Sequence, residues 1–105
     1  MGSKADRRSA RHLLGEPAEV HLGSTTHTAI VRDVSAHGLG IELDPGTAVE
    51  KGELAWILCG RLATFAITGT VVRVDVDSGQ VGIQFLEILE GSALETIASL
   101  PLSEA

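Results

Sequence analysis

Apolar and polar residues alternate along most of this chain, and the alternation predicts a succession of short strands. Ala18, Val20 and Leu22 take every second place in a first strand, and Gly23-Ser24-Thr25 turns the chain into a second, Thr26 to Val34. A polar turn, Asp33-x-Ser35-x-x-Gly38, leads to a third strand, in which Leu39, Ile41 and Leu43 alternate again. Asp44-Pro45-Gly46 closes it. Gly52-Glu53 marks the restart at a fourth, Leu54 to Cys59, where the unbroken apolar run predicts burial on nearly both faces.

Beyond a corner at Gly60-Arg61, Thr64 to Val76 alternates over a long stretch interrupted by Gly69, where a bulge or bend is expected to curl the sheet. Asp77-Ser78-Gly79-Gln80 forms a hairpin loop, and Val81 to Phe85 returns as the last strand. From Ser92 the period lengthens. Ser92-x-x-Glu95 has the form of a capping box, Ala93, Leu94, Ile97, Ala98 and Leu100 fall on one helical side, and Pro101 stops the helix. Six strands in meander order and one amphipathic helix predict a mainly all-β fold, a small antiparallel barrel with the helix as plug or lid. The chain divides into a flexible basic arm over 1–14, barrel and helix over 15–100, and a tail over 101–105.

Composition narrows this picture. A chain of 105 residues suits one domain. The only aromatics are Trp56, Phe65 and Phe85, so Val, Ile, Leu and Ala must build the core, and Trp56, inside an apolar strand, is read as part of it. The single cysteine, Cys59, excludes an internal disulfide and a multi-cysteine metal site, and its apolar neighbours predict a buried, inert thiol. Met1 to Asp6 has neither the apolar segment of a secretory signal nor a myristoylation pattern. The run Leu54 to Cys59 is too short to span a membrane, so a cytoplasmic protein without membrane insertion is expected.

Charge is unevenly placed. The net charge is −6, but residues 1–11 hold Lys4, Arg7, Arg8 and Arg11 against Asp6, whereas residues 12–105 hold four basic and thirteen acidic residues. An acidic body repels a nucleic-acid polymer. The arm is different, because each guanidinium is a planar fork of donors suited to a phosphate or a guanine edge. His12, His21, His27 and His37 are scattered, and the motifs of a nucleophile elbow, a phosphate-binding loop or a dinucleotide site are missing. No enzyme, metal site or cofactor is expected. The turn Asp33-x-Ser35-x-x-Gly38 remains as candidate chemistry: two short oxygen-bearing side chains and a glycine free to take positive φ.

Arg7-x-x-x-Arg11 followed by Asp33-x-Ser35-x-x-Gly38 resembles the paired motif of the PilZ family, and Gly69-Thr70-Val71-Val72-Arg73 with Gly82-Ile83-Gln84-Phe85 is similar to that family's final hairpin. The resemblance implies a PilZ-type six-stranded barrel and a bacterial receptor for the second messenger cyclic di-GMP. It implies that Arg7 and Arg11 grip phosphate and guanine groups, with Arg8 as an auxiliary cation. Asp33 and Ser35 would meet the guanine edge or backbone, Gly38 would let the ligand approach the turn, and Arg73 would stack over a base. Under strict alternation, however, Arg73 shares a face with Val71 and Phe65. The expected mechanism is ligand-driven ordering of the arm on the barrel, creating a surface for a downstream protein. The alternative is a PilZ-like protein-interaction module that binds no nucleotide.

Overall fold

The computed structural model describes residues 11–63, 65–87 and 91–101. Its elements are β1 (His12–Leu22), β2 (Thr25–Val34), β3 (Gly38–Glu42), β4 (Leu54–Leu58), β5 (Ile67–Asp75), β6 (Gln80–Phe85) and α1 (Ser92–Ala98). All neighbouring strands are antiparallel and close into a barrel in the order β1-β2-β3-β6-β5-β4. The expected six-stranded barrel with a C-terminal helix is therefore present, but the expected meander is not. β3 pairs with β6, and β4 closes the ring against β1.

The connection after β3 explains this order. Leu43 N–H donates to the Gly79 carbonyl and Gly46 N–H to that of Val76, so the chain runs past the β5–β6 turn. Further on, Gly52 N–H donates to Val71 and Val71 N–H to Glu53, which delivers β4 to the far side of β5. A local alternation pattern carries no information about such a crossing.

The core is aliphatic. Val20, Val31, Val34, Leu39, Ile57 and Ile83 are among its buried residues, and Ala93 and Ile97 of α1 join the same cluster. Each strand of a closed barrel has one inner face. That rule corrects the expectation for β4, whose Ala55 and Ile57 point inward while Leu54, Trp56 and Leu58 point out. Trp56 is 55% exposed and is not a core residue.

Both ends of the fold also differ from expectation. β1 begins at His12, so His12 to Leu14, assigned above to the arm, are strand. They are tied to the segment after α1: Leu13 N–H donates to the Pro101 carbonyl at 2.7 Å, and His12 Nδ1 donates to the Leu100 carbonyl at 2.9 Å. The helix has Gly91 at its N-cap with φ 67° and no side-chain cap, so the capping box does not form. Ser92 is already helical, and its carbonyl accepts from Thr96 Oγ1.

Candidate functional site

Two bulges decide which charged side chains face outward. In β2, Val31 pairs with Ile41 and Asp33 with Gly40, which leaves Arg32 as the extra residue. Val31 and Val34 both point into the core, and Arg32 and Asp33 both lie outside. In β5, Val71 pairs with Ile83 and Arg73 with Gly82, which leaves Val72 as the extra residue. The irregularity expected at Gly69 lies instead at Val72. An unbulged strand would carry Arg73 to the inner face with Val71; the bulge turns it out.

The two bulges meet in one row. Gly40 and Gly82 are cross-strand partners, so Asp33, Gly40, Gly82 and Arg73 follow one another across β2, β3, β6 and β5. The glycines leave room for the side chains at either end. A Cβ on Gly40 would lie 2.9 Å from Asp33 Oδ1, and one on Gly82 would lie 3.3 Å from Arg73 Cζ and Nη2. The result is a backbone floor with a carboxylate at one end and a guanidinium at the other. Arg73 stands between two outward-facing concavities of about 470 and 430 Å³. Leu13, Arg32, Asp33, Gly40 and Gln80 line the first, and Arg11, Ser35, Gly38, Val72 and Gln84 the second.

Arg11 enters from the start of β1. Its Nη1 lies 3.1 Å from Asp33 Oδ1 and donates a longer bond, 3.4 Å, to the Gly38 carbonyl. The Arg11 and Asp33 side chains are 39% and 33% exposed, so solvent screens the pair and its net worth is within about 1 kcal/mol. An incoming ligand can exchange such a contact.

Ser35 has a different position from the one its spacing suggests. It is 2% exposed. Its hydroxyl accepts from the N–H groups of His37 and Gly38 at 3.2 and 3.3 Å and donates to the Gly38 carbonyl. Ser35 borders the second concavity, but its hydroxyl is engaged in holding the turn.

Gly38 departs further from expectation. Its φ is not among the positive values of the chain. A Cβ there would collide with the Ile83 carbonyl oxygen, so glycine is needed for β3 to lie close against β6. The space its missing side chain frees is filled by the neighbouring strand. Arg7 and Arg8 lie outside the described residues. Sequence names Gly82 only within the final hairpin and gives neither it, Gly40 nor the bulge residue Arg32 a role at the site. The spacing Gly38-x-Gly40, and a lone glycine in β6 opposite Arg73, are the signals that point to them.

The barrel is closed around an aliphatic core, and its polar row lies on the outer wall. Residues 5–100 match the model of the PilZ domain family, and the chain belongs to that family. PilZ domains are binding and adaptor modules, generally receptors for cyclic di-GMP, and no catalytic family is indicated. No curated protein matches the chain. Among solved structures, the "Structure of Bacillus subtilis Inhibitor of motility (MotI/DgrA)" is similar in fold, with a TM-score of 0.65 at 16% identity over 90% of this chain. The chain spans about half of that one, covering 48% of its length. Among the described residues, no helix is long and apolar enough to cross a membrane.

Proposed function

We propose that this chain is a receptor for cyclic di-GMP that reports the ligand to a protein partner. The observation that carries this is the outward row Asp33–Gly40–Gly82–Arg73, with Arg11 at its rim. Guanine offers N1–H and N2–H₂ donors on one edge and the O6 and N7 acceptors on another. A carboxylate suits the first edge and a guanidinium the second, or the face of the ring. The glycines let the Asp33 carboxylate and the Arg73 guanidinium lie over the floor, where a planar base can stack on the guanidinium.

The ligand is also a dianion, and residues 12–105, with four basic and thirteen acidic residues, repel it unless cations are placed at the site. Arg11 and Arg73 stand there, and Arg7 and Arg8 complete the clamp in this proposal. Binding exchanges the solvent-screened Arg11–Asp33 pair for charge-assisted hydrogen bonds of roughly 1.5–3 kcal/mol each. Part of that gain offsets the ordering of the segment carrying Arg7 and Arg8 against the barrel, at about 1–2 kcal/mol per residue. The new surface so formed is what a partner reads. Ser35 serves the site by holding the turn. No catalytic step and no cofactor enters this scheme, and its place of action is the bacterial cytoplasm.

Calorimetric titration with cyclic di-GMP, with GTP and cyclic di-AMP as controls, tests the proposal. Saturable, selective heat that disappears in an Arg7→Ala/Arg11→Ala double variant is expected. The absence of heat at high ligand concentration, with an unshifted melting temperature, would leave a PilZ-like module that recognises protein alone.

A further inference from the structure

Leu54, Trp56 and Leu58 form an apolar stripe along the outer face of β4, 58%, 55% and 43% exposed respectively. They alternate with the buried Ala55 and Ile57, so none of them contributes to the core. Leu86 extends the patch beyond β5: it is itself 58% exposed, and its N–H donates to the carbonyl of Thr68, the residue paired with Trp56. Exposed apolar side chains scattered singly need no explanation, but a contiguous set on one sheet face does.

The borders of the stripe say what fits it. On the β1 side, Glu19 lies opposite Leu58 and His21 opposite Trp56. Glu16 flanks the end of β4, where Arg61 reaches it at 3.8 Å. At the other end the Glu53 carboxylate reaches toward Gly23, 3.6 Å from where a Cβ would stand there. On the β5 side the border is small and uncharged, with Thr70 opposite Leu54 and Thr68 opposite Trp56. Arg61 pairs with Glu16 and Glu19 accepts from His21 at 2.7 Å, so the three carboxylates Glu16, Glu19 and Glu53 leave the rim acidic on a body already rich in acid. A second copy of the chain would bring acidic rim against acidic rim.

We infer that the outer face of β4 docks a protein segment that carries apolar side chains flanked by lysine or arginine. The stripe is about 13 Å long, four residue steps of a strand, which matches roughly nine residues of an amphipathic helix. β5 connects this face to the candidate ligand site, because Thr68 and Thr70 border the stripe while Val72 and Arg73 border the concavities. Only that coupling to ligand rests on the receptor proposal; the docking face itself does not.

Trp56 is the only tryptophan of the chain, so its fluorescence reports on this face directly. The probe is a synthetic amphipathic helical peptide with leucine on one face and lysine along its flanks. Two controls accompany it, a scrambled peptide of the same composition and a version with glutamate in place of lysine. The expected result is a saturable blue shift with the first peptide only. It should weaken about tenfold or more in a Leu54→Ser/Leu58→Ser variant whose circular dichroism and melting are unchanged. Equal shifts with the scrambled peptide, or no shift with any, would overturn the inference. So would a shift that grows with protein concentration alone alongside a dimer mass in sedimentation, which would assign the face to a second copy. Each titration is repeated with cyclic di-GMP. Peptide binding that persists in a protein showing no nucleotide heat would sink the receptor proposal and leave the docking face standing.

Discussion

Asp33 and Ser35 stand two positions apart in one motif and have opposite surroundings. The Asp33 carboxylate is partly open and faces the site, whereas the Ser35 hydroxyl is buried in the turn. Removing each should therefore read differently. Asp33→Ala is expected to change unfolding free energy by no more than about 1 kcal/mol, because its ion pair is solvent-screened. The same change should weaken cyclic di-GMP binding about tenfold or more, as expected when a charge-assisted contact is lost. Ser35→Ala removes the acceptor of two backbone N–H groups and should lower stability by about 1–3 kcal/mol. Urea denaturation beside calorimetry separates the two outcomes. Motif spacing located both residues but could not tell which one faces out, since that depends on a turn closed by its own hydroxyl. Gly38 has the same limit: from sequence it reads as a glycine chosen for φ, and only the approach of β6 shows that it is chosen for space.

At the scale of the element, hydrophobic alternation located every strand, and it erred where a strand changes phase. Counting by twos assumes an unbroken register. The bulges at Arg32 and Val72 break it, and each lies beside a glycine of the partner strand, Gly40 or Gly82, that makes room for the outward side chain. Arg73 is the instructive case, because alternation places it with Val71 inside the barrel and the bulge places it outside. Deleting Val72 should remove the bulge and leave Arg73 facing outward opposite Gly82. Unfolding free energy should then change by no more than about 1 kcal/mol, read from the urea midpoint, since no core residue changes face. A second change tests the floor itself. A methyl in Gly40→Ala falls 2.9 Å from Asp33 Oδ1, so the carboxylate must move. Nucleotide affinity should drop while the melting temperature changes little. β4 erred differently: every residue from Leu54 to Cys59 is apolar, so composition hid a normal alternation that only barrel closure reveals.

At the scale of the whole molecule, the barrel depends on a pairing that joins strands far apart in sequence. β4 closes the ring on β1, and its Ile57 is fully buried opposite Val20. Ile57→Ala should cost about 2–5 kcal/mol through the cavity it leaves, measured by equilibrium unfolding. Closure also removes the free sheet edges that would otherwise pair between molecules. Barrel and helix were legible from strand count and period, but the strand order was not. It is set by backbone hydrogen bonds between the 43–53 connection and the β5–β6 hairpin, which side-chain patterning does not encode. The acidic body and cationic site also predict that ligand binding weakens as salt rises, as screened phosphate contacts do.

The proposed receptor function places cyclic di-GMP on the outer wall, over the row from Asp33 to Arg73. Amide chemical-shift mapping of the ¹⁵N-labelled protein during titration with cyclic di-GMP tests binding and place together. Saturable shifts concentrated at Asp33, Gly38, Gly40, Gly82 and Arg73 are expected, with little change along β1 opposite β4. Spectra that stay unchanged at saturating ligand, or shifts confined to the wall formed by β1 and β4, would contradict it.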